Sequence, residues 1–183
     1  MTQDTPLPFS QKLAVNTITS AGKSMILTPD ADVRAEIARF LDIAAIDALE
    51  ADFQLEQWQR NGVRLSGTLH ATVTLTCVVS SQQFPFTVSE PVEVLFAEEG
   101  ANAHDSTLSV EELMADDGEI IDPIENGMID VGHVVTEFLA LGLPAFPRKS
   151  DAELPARYSP EESAETKRPF AALAELAKKM EKK

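Results

Sequence analysis

The chain is poor in the residues on which recognisable chemistry is usually built. Cys77 is the single cysteine in 183 residues, which excludes an internal disulfide framework and a CxxC-type zinc ribbon. Glycine-rich phosphate loops, GxSxG elbows and HExxH helices are all missing. No apolar run is long enough to span a bilayer. The opening MTQDTPLPFS has neither a basic nor an apolar stretch of the secretory kind. Together these absences predict a soluble protein of a reducing compartment, most simply the cytoplasm. Positive charge is also scarce, with 15 Lys and Arg against 30 Asp and Glu and a net charge of −15. Broad binding to phosphate backbones needs clustered cations, so the acidic balance fits solubility or a basic partner better.

The few groups that could do chemistry are poorly placed for it. His70 precedes Cys77 by an odd number of residues on one expected strand, so the two point to opposite faces. Cys77 reads as a small buried residue facing Phe86 rather than as a nucleophile. His133 and Glu137 stand one helical turn apart and can pair, but two groups do not hold a zinc ion. His104 falls in an acidic stretch and is expected in solvent. The carboxylate pairs Glu98-Glu99, Glu111-Glu112 and Asp116-Asp117 read as solvent-facing charge. No catalytic residue, metal site or cofactor is expected, and the protein is read as a non-enzyme.

What is present is a long period-two pattern. Phe9, Gln11, Leu13 and Val15 suggest a short strand, and Lys23 to Thr28 a second. A helix follows in TPDADVRAEIARFLDI, with Thr28 as cap, Pro29 and Asp30 in its first turn, and Val33, Ile37, Phe40 and Leu41 on the core side. Leu49, Ala51, Phe53 and Leu55 then alternate with acidic and polar residues. After Asn61-Gly62, a hairpin signal, odd positions from Val63 to Val79 are apolar or small and even ones polar. A three-residue loop of Arg60, Asn61 and Gly62 would pair Leu55 with Gly67 and Phe53 with Leu69. That keeps like faces together and puts Gly62 in a left-handed bulge. Trp58 breaks the alternation.

The second hairpin, turning at Ser80 to Gln83, would set Cys77 against Phe86, Leu75 against Val88 and Ala71 against Val92. Phe84, Phe86, Val88, Val92, Val94 and Phe96 join the buried face. Pro85 and Pro91 cannot donate ladder bonds and mark an edge or a bend.

Residues 98–122 hold nine acidic residues and no Lys or Arg. They read as a flexible acidic loop, with one helical turn at SVEEL. A second helix is expected in MIDVGHVVTEFLALGLP, with Val131, Val134, Val135, Phe138, Leu139 and Gly142 on one stripe, stopped by Pro144 and Pro147. The expected fold class is α+β: a curved antiparallel sheet, open or partly closed into a barrel, with two packed helices. Residues 1–147 form one domain, 148–166 a linker, and 167–183 a basic amphipathic helix. That last segment holds six Lys and Arg against two Glu, a local +4, while residues 1–166 carry −19.

The ordered stretches PFSQKLAV, MILTPDADVRAEIARFLDI, VRLSGTLHATVTLTCVVSSQQFPFTVSEPVEVLF, IDVGHVVTEFLALGLPAFPRKS and RPFAALAELAKK resemble the YceD family. These are the large ribosomal RNA subunit accumulation proteins, and the resemblance is closest to the alphaproteobacterial branch. It implies a non-enzymatic part in accumulation of large-subunit rRNA. Matching motif positions are Cys77, Glu137, and the segment from Pro169 and Phe170 to Leu173. Many members carry a second cysteine three residues earlier, where Thr74 stands here, so no cysteine-pair metal site is implied.

The tail puts Phe170, Leu173, Leu176, Ala177 and Met180 on one stripe, with Lys178, Lys179 and Lys182 off it. A helix this short needs a surface to dock on. With Lys167 and Arg168, these residues are the candidate partner-binding set. The partner is a large-subunit precursor, its rRNA or a basic ribosomal protein, or else the chain's own acidic domain. A second reading makes the protein an acidic escort for a basic ribosomal protein, without RNA contact, through residues 98–122.

Overall fold

The computed structural model describes residues 7–58, 62–98 and 121–153. Its frame is one open five-stranded sheet, with two helices and a small strand pair laid on one face. In chain order, β1 (Lys12–Ala14) leads through a 3-10 turn (Val15–Thr17) to β2 (Lys23–Leu27) and α1 (Ala31–Phe40). Three long strands follow, β3 (Ala45–Trp58), β4 (Gly62–Thr76) and β5 (Gln83–Glu98), then β6 (Ile121–Ile124), β7 (Met128–Asp130) and α2 (Val131–Gly142). The sheet order is β2-β3-β4-β5-β6, and β1 pairs separately with β7. The α+β class holds, but the described sheet is not closed into a barrel and is mixed rather than wholly antiparallel, because β6 runs parallel to β5. A parallel return needs a long connection, and residues 99–120 supply it. The expected SVEEL turn lies outside the described residues.

Alternation decides which face is buried. Leu49, Ala51, Phe53 and Leu55 of β3, Leu65, Leu69, Ala71 and Val73 of β4, and Val88, Val92 and Val94 of β5 share one core with Ile37 and with Val131, Val134, Val135 and Leu139. Their polar neighbours, such as Glu50, Asp52, His70 and Glu93, face solvent on the other side. Period-two polarity on an antiparallel sheet is the mark of this one-sided burial.

Both hairpin registers differ from the expected ones by an even number of residues. Phe53 lies opposite Gly67 and Leu55 opposite Leu65, with Trp58 paired to Gly62. Even shifts preserve the faces, so hydrophobic pattern alone does not separate them. Glycine sterics do. A Cβ on Gly67 would meet Cδ1 of Phe53 at 2.9 Å and press into the Asp52 carbonyl. One on Gly62 would meet the Trp58 ring at 2.8 Å. The two glycines therefore stand where the large aromatics of β3 cross β4, which also gives Trp58 its place. Gly62 is not in the left-handed region, which is occupied by Gly22 and Gly127 among the described glycines.

In the second hairpin Leu75 faces Phe84, Val73 faces Phe86 and Ala71 faces Val88. Cys77 is thus not opposite Phe86. It opens a turn in which its N–H bonds the Gln82 carbonyl and Ser81 N–H bonds back to the Cys77 carbonyl, with Ser81 at a φ of 57°. Pro85 and Pro91 do sit where no outer neighbour needs a donor, since β6 pairs β5 only from Leu95 to Glu98.

Helix α1 is capped by Asp30, whose side chain accepts from Val33 N–H at 2.9 Å, rather than by Thr28. A carboxylate is the better match to the positive helix end. Phe40, expected in the core, is exposed because α1 ends there. No helix among the described residues is long and apolar enough to cross a membrane.

Candidate partner-docking surface

The residues singled out from the sequence fall into three places. Cys77 lies at the β4–β5 turn, Glu137 on the exposed side of α2, and Lys167 to Lys182 outside the described residues. The structure links the first two through the chain that follows α2.

That chain forms a strap over the Cys77 turn. Val78 N–H donates to the Pro147 carbonyl at 2.9 Å, and Lys149 N–H donates to Sγ of Cys77 at 3.4 Å. Lys149 Nζ reaches Gln82 at 3.5 Å and Asp151 at 3.1 Å, while Arg148 donates to the Ala152 carbonyl. Ala152 is buried, which pins the far end. Cys77 is only 1 % exposed. The Ser80 hydroxyl and then the Lys149 N–H lower the Cys77 thiol from 9.0 to about 6, outweighing the upward push of desolvation. Donors aimed at a sulfur favour its thiolate, so Cys77 acts here as a hydrogen-bond acceptor that holds chain. The expected inert apolar contact with Phe86 is replaced by this role.

At the other end of α2, Asp130 is the N-cap, accepting from Gly132 N–H at 3.1 Å and His133 N–H at 3.4 Å. The same carboxylate takes Gln11 N–H at 2.8 Å and the Ser10 hydroxyl, tying the N-terminal strand to the helix. His133 Nε2 lies 3.5 Å from Asp130 Oδ2. Desolvation is the largest single influence on Asp130 and pushes its carboxyl up, but the Ser10, Gln11 and His133 contacts together outweigh it and hold the group below the ordinary range. Sequence reasoning missed Asp130 although an Asp directly before an apolar helical run is a cap signal.

Between these ends, Glu137 of α2 lies within the field of Asp122 of β6. Burial lifts the Glu137 carboxyl, the Asp122 charge lifts it further, and His133 opposes both. Burial alone lifts Asp122. Among the described residues no Lys or Arg forms an ion pair with either carboxylate. No group of three or more metal-ligating side chains occurs among the described residues.

The family comparison bears on the chain that carries these contacts. The family described as "Large ribosomal RNA subunit accumulation protein YceD" matches residues 65–177. The chain belongs to the YceD family. No curated protein and no solved structure matches it. The YceD match begins inside β4, runs through β5, β6, β7, α2 and the strap, and ends within the basic tail. Cys77, Asp130, Glu137 and Phe170 all lie inside it, whereas β1, β2, α1 and β3 lie before it.

Proposed function

We propose that the protein is a non-enzymatic factor in the accumulation of large-subunit rRNA, acting by docking on an assembling large ribosomal subunit. The observation that carries this is the YceD match, which continues past the sheet domain to residue 177 and so takes in the first part of the tail, Lys167, Arg168 and Phe170 included. In this reading Lys167, Arg168, Lys178, Lys179 and Lys182 meet an acidic or phosphate surface, and Phe170, Leu173 and Leu176 bury against a partner groove. The body, at −19, repels rRNA and leaves contact to the tail. The order of motifs favours a member of the alphaproteobacterial branch, working in the cytoplasm.

The test is gradient sedimentation of tagged protein from lysate, intact and truncated after Thr166, with fractions probed for large-subunit rRNA. The intact protein is expected to travel with precursor particles and to be released by salt, while the truncated form stays at the top. If neither form leaves the top, stable particle binding is wrong.

One observation favours a second reading, an acidic escort for a basic ribosomal protein. Residues 98–122 hold nine acidic residues and no cation, and they complement a basic partner. Capture of a ribosomal protein that persists after nuclease and is lost on neutralising those carboxylates would select this reading.

A further inference from the structure

Six large apolar side chains are exposed among the described residues, and two of them, Leu141 and Phe146, stand five residues apart where α2 ends and the strap begins. Leu141, 72 % exposed, stands in the last turn of α2, and Phe146, 81 % exposed, begins the strap. Val78 is held beside Pro147 by a 2.9 Å backbone bond. Glu137 precedes Leu141 by one helical turn, so both lie on the same stripe of α2, and the charge of Asp122 acts on Glu137. The end of α2 and the start of the strap thus carry bare apolar groups, one helical turn from a carboxylate that feels a second like charge. The cations nearest in sequence are already engaged, Lys149 with Asp151 and Gln82 and Arg148 with the Ala152 carbonyl.

We infer that residues 167–183 dock in cis on this face, the apolar stripe of the tail covering Leu141 and Phe146 and its lysines facing Glu137 and Asp122. Three observations select this occupant. The described chain ends at Glu153, on the strap that borders the patch. The residues from there to Lys167 span up to about 45 Å when extended, more than the roughly 40 Å diameter of a domain of this size, so the tail reaches the patch without strain. The charges also match, since the +4 of the tail is the only cationic concentration in a chain whose remainder carries −19. Tethering supplies an effective concentration in the millimolar range, enough to populate a contact too weak to hold between separate molecules.

The consequence is a self-masked arm, whose partner-binding residues are covered until a stronger partner competes for them. The contact is a property of the isolated protein. It stands or falls separately from the sedimentation result above.

Hydrogen exchange on the purified, nuclease-treated full chain tests it. Amides of residues 168–180 are expected to exchange about tenfold slower than in the Leu141→Asp/Phe146→Asp variant, at a rate independent of protein concentration. Both replaced side chains are exposed, and unchanged protection of β4 checks that the domain still folds. Leu173→Asp in the tail, which leaves the domain sequence intact, must produce the same loss. Exchange of the wild-type tail at free-peptide rates overturns the proposal. So does protection that survives both variants, or protection that disappears on dilution and so reports a second copy.

Discussion

Asp130 ties two elements together through its side chain. One carboxylate caps α2 and receives both a backbone and a side-chain donor from the segment around β1. Asp130→Ala is expected to cost about 1–2 kcal/mol, measured by denaturant unfolding, with Asp130→Asn losing less because an amide oxygen still caps. Its folded pKa is depressed, so this contribution is present above the ordinary carboxylate range and is lost as pH falls through the lowered value. Cys77 titrates with the same sign and in a different window. Absorbance at 240 nm should show a thiolate transition near pH 6 rather than 9.0, and Ser80→Ala should move it upward by removing the leading donor. The stabilisation linked to Cys77 is complete above 9.0 and fades toward about 6 as pH falls. Alkylation is nevertheless expected to be slow in the folded protein, because thiolate character without access is not reactivity. Cys77 was legible in the sequence as buried, but the donors around it come from the turn and from a strap some seventy residues later, which no local pattern encodes.

Among the elements, β3 and β4 are governed by the crossing of large side chains over glycine. Phe53 is fully buried and lies opposite Gly67. Gly67→Ala is expected to destabilise by about 1–3 kcal/mol through overpacking, and Phe53→Ala by about 3–5 kcal/mol through the cavity it leaves. Thermal or denaturant melts of the two variants check this. If Gly67→Ala proves neutral, the close crossing of Phe53 over Gly67 in the observed register is overturned. The existence and faces of β3, β4 and β5 were readable because period-two polarity runs through most of each strand, and the strands are 14, 15 and 16 residues long. Their register was not, because every even shift satisfies the same pattern. Strands β6 and β7 went unread for another reason. Each is four residues or fewer, too short for periodicity, and β6 directly follows an acidic run that masks it.

On the scale of the whole molecule, charge is the dominant quantity. A body at −19 repels itself, and exposed like charges are screened within about 10 Å at 0.1 M salt. The unfolding midpoint is therefore expected to rise by a few degrees, roughly 2–5 °C, between low and moderate NaCl. A midpoint that falls with salt would mean that the docked tail and other ion pairs outweigh the repulsion. The same imbalance separates the two functional readings, since a partner that meets the tail must be acidic and one that meets residues 98–122 must be basic.

The sequence by itself determined the class, the three long strands with their buried faces, both helices, and the opposition between acidic body and basic tail. Each of these is written in a period or a composition that survives without neighbours. Only the tertiary structure decided the strand registers, the parallel return of β6, the Asp130 latch and the strap on Cys77. All four depend on which residues meet across long separations in the chain, and there steric fit and hydrogen-bond donors choose among arrangements that the hydrophobic pattern leaves equal.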